Sequence, residues 1–146
     1  MRILALDPGT KRIGIAISDE LKLIAQPLEF SSAEPFPDFL RRLKQLVQEK
    51  EVELILVGMP RNMDGTYGPA AARVQEFVSE LKKALPLRIK KWDERLTTVQ
   101  ANRILLEANV RRGKRKEKVD KMAAAILLQS YLDSLQETAS TPDEPR

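Results

Sequence analysis

Asp7 ends the apolar run of "MRILALDPGTKRIGIAISDE", and Lys11 and Arg12 follow it within the same stretch. A carboxylate fixed at a strand end beside two cations is suited to holding a metal ion against a phosphate. Asp-Pro-Gly is also good turn chemistry, because Pro8 presets φ and Gly9 gives the backbone freedom a tight turn needs. Asp7 alone does not separate the two readings. Further along, Asp93 and Glu94 close "LRIKKWDE", and Asp120 precedes "KMAAAILLQSYL". At about 100° per residue, Asp120 falls on the stripe of Ala123, Ala124, Leu127 and Tyr131, the stripe that must pack on a sheet. A helix N-cap is the alternative for Asp120, and a surface pair with Arg95 or Arg103 is the alternative for Glu94. Three acids converging at strand and helix ends are harder to explain as three separate accidents.

Clustered carboxylates repel one another and resist burial unless a cation sits among them. The chain has no histidine and no cysteine. Their absence excludes Ser-His and Cys-His nucleophile pairs, thiolate zinc sites and disulfides, and is consistent with a reducing cytoplasm. With oxygen ligands alone, the expected ion is Mg²⁺ or Mn²⁺, held by Asp7, Glu94 and Asp120. One such ion, or two, can activate water and stabilise the oxygens attacking and leaving phosphorus.

The formal charge is +4, from 25 Lys and Arg against 21 Asp and Glu, which favours an anionic partner without proving nucleic-acid binding. Its distribution says more. "NVRRGKRKEKVDK" gathers Arg111, Arg112, Lys114, Arg115, Lys116 and Lys118 around Gly113, immediately before Asp120. Cations at a helix N-terminus oppose the macrodipole, so helix stability does not account for the run, whereas phosphate binding does. A solvated charge run is the plainer alternative. Arg61 and Asn62, in "MPRNMDGTYGP", could reach phosphate or sugar, while Asp64-Gly65 reads as a turn. Aromatic residues are only 5% of the chain, so no stacking platform for single strands is evident, and readout of shape and backbone is expected.

These residues need a scaffold, and 146 residues suffice for one domain with its own core. Arg2 to Leu6 reads as a buried strand. Ile13, Ile15 and Ile17 alternate through Arg12 to Ser18 as a second, joined by a short turn into a hairpin. Leu23 to Phe30 is a third strand, with Pro27 marking an edge or a bulge. Phe39, Leu40, Leu43, Leu46 and Val47 have helical spacing. Val52 to Gly58 is a continuous apolar run, expected of a strand covered on both faces. A helix from about Ala70 to Leu85, a fifth strand from Leu87 to Glu94, a helix capped at Thr97 and running to Asn109, and a last helix from Val119 to Leu135 complete the order. Residues 1–137 thus make a single α/β domain with a five-stranded mixed sheet flanked by helices, and 138–146 a polar tail. If the first and fifth strands are neighbours, their carboxyl ends bring Asp7 and Glu94 together. The first residues lack the long apolar stretch of a signal peptide or membrane span, so the protein is expected to stay where it is made.

The segments "ILALDPGTKRIGIAISD", "VGMPRNMDGT", "DERLTTVQA" and "KVDKMAAAILLQSYL", in that order, resemble the YqgF or RuvX family of Holliday-junction-resolvase-like proteins. The resemblance implies a ribonuclease H-like fold and a metal-dependent hydrolase in which Asp7, Glu94 and Asp120 are the catalytic acids. It implies that Lys11, Arg12, Arg61, Asn62, Arg95 and Thr97 border the site. It further implies a cytoplasmic role in ribosome biogenesis, processing the 5′ end of pre-16S rRNA, with branched DNA in recombination as the alternative substrate. The sequence departs from the family pattern at Pro8 and Arg61. Resolvases of the RuvC type carry a fourth acid near the last one, where position 121 here is Lys, so either Asp93 substitutes or three acids suffice.

Two other classes fit parts of the sequence. "DPGT" is similar to the first phosphate loop of sugar kinases and actin-type proteins, which place ATP between two copies of a related fold, and a chain of this length supplies one. A non-catalytic module docking on rRNA through the basic face uses the same cations without the acids. The expected partner is structured RNA or branched DNA, with no membrane, and the chain is a monomer or a homodimer.

Overall fold

The computed structural model describes residues 1–8, 12–59, 68–93 and 112–139, with the backbone alone at 70, 93, 112–121 and 137–139. Strand β1 (Arg2–Pro8) runs antiparallel to β2 (Arg12–Ser18), with Leu4 opposite Ile17 and Asp7 opposite Gly14. Strand β3 (Ala25–Ser32) runs antiparallel to β2, with a register shift between Ile15 and Ala16 beside Pro27. Proline cannot donate to a ladder, and β3 is accordingly an edge of the sheet.

The third strand begins two residues later than the sequence predicts, because Asp19 takes the preceding amides. Its carboxylate accepts from the Leu23 and Ile24 N–H groups at 2.8 and 3.0 Å, and Lys22 turns the chain at φ 61°. These two bonds, Ile24's first, hold the Asp19 carboxyl below its ordinary value. A group with a depressed folded-state pKa lends stability that is present above its unfolded value and lost as pH falls through the folded one. Hydrogen exchange should therefore find the Leu23 and Ile24 amides protected at neutral pH, exposed only below the ordinary carboxylate range, and exposed at every pH in Asp19→Ala.

The parallel half of the sheet is built by crossovers. Helix α1 (Phe36–Glu49) leads to β4 (Val52–Met59), parallel to β1, and helix α2 (Pro69–Ala84) leads to β5 (Arg88–Asp93), parallel to β4. The strand order is β3-β2-β1-β4-β5. The first and fifth strands are therefore not neighbours, contrary to the sequence-based expectation; β4, the most apolar strand, stands between them. Parallel pairing still sets the carboxyl ends of β1, β4 and β5 along one edge.

Strand alternation divides the core into two layers. Leu4, Leu6, Ile13, Ile15, Ile55 and Val57 face α1 and α2, meeting Phe39, Leu43 and Leu46 from one helix and Val74, Val78 and Leu81 from the other. Phe36, Phe39 and Phe77 tie the two helices together, with ring centroids 5.7–6.2 Å apart. The opposite face carries the long helix α3 (Arg112–Ala139), whose Ala124, Leu127, Leu128 and Leu132 pack on Ile3, Ala5, Ala16 and Leu56. Small residues on both sides, Ala5 and Ala16 against Ala124, let this helix lie close to the sheet.

Helix α3 starts seven residues before the predicted Val119 and continues to Ala139, past the predicted Leu135. The basic run is thus helical, and Gly113 lies inside the helix. Cations oppose the dipole by a few tenths of a kcal/mol, about 0.3–1 each at the surface, but Arg, Lys and Glu are straight-chain residues that lose little rotamer freedom in a helix. Propensity prevails over the dipole here. Among the described residues no helix is long and apolar enough to cross a membrane. The helix predicted from Thr97 to Asn109 and the tail from 140 onward lie outside the described residues.

Candidate active site

Asp7 shares strand parity with Ile3 and Ala5, which pack under α3, so its side chain belongs to the α3 face at the carboxyl end of β1. Gly14 stands opposite it on β2. A methyl group placed on Gly14 would lie 3.8 Å from the Asp7 Cβ, 3.6 Å from the Ala124 Cβ and 3.5 Å from the Phe30 Cε1. These three distances put the Asp7 side chain, the sheet-facing side of α3 and an aromatic ring around one point above the Gly14 backbone. Among the described residues, no hydrogen bond or ion pair engages the half-buried Asp7 carboxylate.

The direction of α3 decides what lies above that point. Gln129 binds the start of β3, accepting from the Ala25 N–H at 2.9 Å and donating to the Leu23 carbonyl at 3.0 Å. Ala25 pairs with Ser18, whose hydroxyl accepts from the Ile3 N–H at 2.9 Å, so Gln129 sits at the level where β1 begins. From Ala124 near Asp7 to Gln129 near Ile3, the helix runs back along β1. Trp92 fixes the far side, donating its indole N–H to Ser130 at 3.3 Å and meeting Tyr131 edge-on at 5.1 Å, while the Lys90 ammonium lies 5.0 Å over the Tyr131 ring.

Asp120 therefore occupies the position one helical turn before Ala124, about 6 Å further along the axis and past the end of β1. It is the ninth residue of α3, which removes the N-cap alternative. The backbone of Arg112, Lys114, Arg115, Lys116 and Lys118 forms the turns beyond it, reaching roughly 18 Å from Ala124 past the strand ends. On the sheet, Asp7 is level with Gly58 and Trp92, and Asp93 pairs with Met59 one step beyond. Two strand spacings, roughly 10 Å, separate β1 from β5.

Arg12 sits two residues from Gly14 on β2, with its guanidinium 5.0 Å from the centroid of Phe30. Of the expected site residues, Asp7 and Arg12 are thus described in full, Asp120 and the cations of α3 in backbone. Lys11, Arg61, Asn62, Glu94, Arg95, Thr97 and Arg111 lie outside the described residues. Among the described residues no three acids form a group that could hold a metal ion. Gly14, Ala124 and Phe30 are additions. The signal for Gly14 was present, as the one side-chain-free residue in an Ile-rich alternation; Phe30 has no sequence signal, because its proximity to Asp7 arises from pairing across two strands.

The fold is that of a ribonuclease H-like domain: a five-stranded mixed sheet with helices on both faces and an aspartate at the carboxyl end of its first strand. Solved structures agree with that class. RuvC of Thermus thermophilus, in complex with a Holliday junction, matches with a TM-score of 0.53 at 15% identity, covering 94% of this chain and 97% of that one. The fowlpox virus Holliday junction resolvase matches with a TM-score of 0.52 at 13% identity, covering 92% and 99%. The model of the RuvX family, described as Holliday junction resolvase, matches residues 1–134, and the chain belongs to that family. A relative in Desulforamulus reducens, named "Putative pre-16S rRNA nuclease", is 51% identical over 92% of this chain and 98% of its own length. One of the same name in Halothermothrix orenii is 50% identical over 91% and 95%.

Proposed function

We propose that this protein is a cytoplasmic, divalent-metal-dependent nuclease that hydrolyses phosphodiester bonds in structured RNA, acting at the 5′ end of pre-16S rRNA in ribosome biogenesis. The observation that carries this reading is the meeting of Asp7 with Ala124 across Gly14, one turn from Asp120. The names of the relatives supply the substrate.

Asp7, Glu94 and Asp120 would hold the ion. Glu94 directly follows Asp93, the last residue of β5, in the chain. Three acids suffice for such a set, and Asp93 is not needed in it. A half-buried carboxylate without a cationic partner among the described residues, in a chain lacking histidine and cysteine, is the donor chemistry that Mg²⁺ or Mn²⁺ takes. When bound, such an ion activates a water and offsets charge developing at phosphorus. The protein's own part is to fix the carboxylates on rigid elements and to hold the scissile strand. Lys11, Arg12, Arg61, Asn62, Arg95 and Thr97 border the site, and Arg112, Lys114, Arg115, Lys116 and Lys118 extend it along α3 as a phosphate rail, with Arg111 just before them in the chain.

If about four of these cations neutralise phosphates, log affinity for duplex should fall with log salt at a slope of roughly −3.6. Replacing Lys114, Arg115 and Lys116 by Gln should flatten that slope by about 2.7, read by fluorescence anisotropy across a salt series.

The second reading, a resolvase for four-way DNA junctions, is favoured by the family description and the likeness to RuvC. It requires two sites related by symmetry and hence a homodimer. Cleavage of a pre-16S leader and of a four-way junction by one preparation with Mn²⁺, with Asp7→Asn as control, tests both. Cutting of the leader by wild type alone supports the rRNA reading; cutting of the junction alone transfers the assignment to DNA; cutting of neither, or equal cutting by the variant, refutes the nuclease.

A further inference from the structure

We propose that Phe30, with Arg12 over its ring, is a stacking platform for an unpaired nucleobase next to the scissile phosphate, so that the site selects single-stranded or flared segments over continuous duplex. The inference rests on the nuclease reading above and gives it a substrate class.

The ring sits where such a platform is needed. Phe30 pairs with Gly14 across β2 and β3, and its Cε1 would touch a Gly14 methyl that also touches Asp7 and Ala124. It thus lies across Gly14 from the Asp7 side chain, on the same face of the sheet. The ring remains open to solvent, with Phe30 39% exposed although its strand packs on α3. Among the described residues no strand continues the sheet beyond β3, so a nucleic-acid strand can approach the ring from that edge.

The guanidinium 5.0 Å from the ring centroid completes the chemistry. A planar cation over an aromatic face presents donors to phosphate while its stacked position leaves the rest of the ring open to a base. Stacking on aromatic rings tolerates any base, because every base has a π-face. A base inside a duplex has both faces occupied by its neighbours and must be flipped out before it can use the ring. A ring beside the reacting acids therefore discriminates by strandedness instead of sequence. The low aromatic content of the chain argued against a platform; a single well-placed ring is enough for one base.

The test uses Asp7→Asn, which binds without cutting under the nuclease reading, and a short RNA carrying 2-aminopurine, whose fluorescence is quenched by stacking. Single-stranded RNA should show quenching on binding. Adding Phe30→Ala should abolish the quenching and weaken single-strand affinity by roughly 5- to 150-fold, with duplex affinity moving less than twofold. Phe30→Trp should restore both. Phe30→Leu keeps an apolar side chain without a π-face and should behave as Phe30→Ala, which separates stacking from folding. Unchanged single-strand affinity and quenching in the folded Leu variant would overturn the platform while leaving the nuclease reading intact. Failure of Asp7→Asn to bind any RNA would overturn both.

Discussion

Asp7→Asn should lower kcat/KM for Mn²⁺-dependent cleavage by about a thousandfold or more, since the ion contributes several kcal/mol of charge stabilisation and each 1.36 kcal/mol is a factor of ten. The change keeps the shape of the side chain and removes its charge, so loss of activity cannot be ascribed to a cavity. Asp120→Asn should cost a similar factor. The two together should cost little more than either alone, because residues that act as one unit are not additive. Without metal, the fold should tolerate Asp7→Asn well. The carboxylate makes no hydrogen bond or ion pair among the described residues, and neutralising it relieves repulsion from any acid nearby. Adding Mn²⁺ at a hundred times its dissociation constant should stabilise wild type by about 2.7 kcal/mol and the variant far less. Metal-dependent thermal shift thus separates loss of a ligand from loss of structure.

Gly14 provides the second large effect. A methyl there meets Asp7, Ala124 and Phe30 at 3.5–3.8 Å, ordinary contact distances, so Gly14→Ala fits. Because alanine restricts the unfolded chain more than glycine, the variant should be more stable by about 0.4–1 kcal/mol. Gly14→Leu drives further carbons against the Asp7 side chain, Ala124 and the Phe30 ring. The overpacking should cost about 1–3 kcal/mol of stability. Cleavage should fall by about a hundredfold or more, since a misplacement of roughly 1 Å at a reacting centre costs that much. Paired measurements of thermal midpoint and cleavage rate on the Ala and Leu variants check the contrast. Equal activity in both would mean that packing around Gly14 does not set the position of the reacting groups.

Much of this arrangement is legible in the residues. The Ile13-Ile15-Ile17 alternation sets β2 and its buried face, the apolar run of β4 marks a strand covered on both sides, and Pro27 marks the edge strand. Each is a local signal, of period or of hydrogen-bonding capacity. What local signals do not contain is adjacency. Nothing in Arg2–Pro8 or Arg88–Asp93 says that β4 will stand between them; that follows from which apolar run gains most from the doubly covered centre. The start of α3 was obscured for a different reason. Its first turns carry no apolar stripe, only Arg, Lys, Glu and Gly113, so periodicity ends near Val119 while backbone helicity continues to Arg112. The shift changes the site, because Asp120 becomes an interior helical position, one turn before Ala124, instead of a capping residue. Phe30 was hidden by topology alone, being brought to Asp7 through two successive antiparallel pairings.

Titration of Mn²⁺ followed by electron paramagnetic resonance of the free ion, on wild type and on Asp7→Asn, Glu94→Gln and Asp120→Asn, tests most directly whether these three carboxylates share a cation. Wild type should take up the ion at a site that each of the three changes weakens by at least about tenfold, in line with the sensitivity of metal sites to changes even one shell further out. Uptake equal in all four proteins, or sensitive to Asp7 and indifferent to both Glu94 and Asp120, would contradict a shared site.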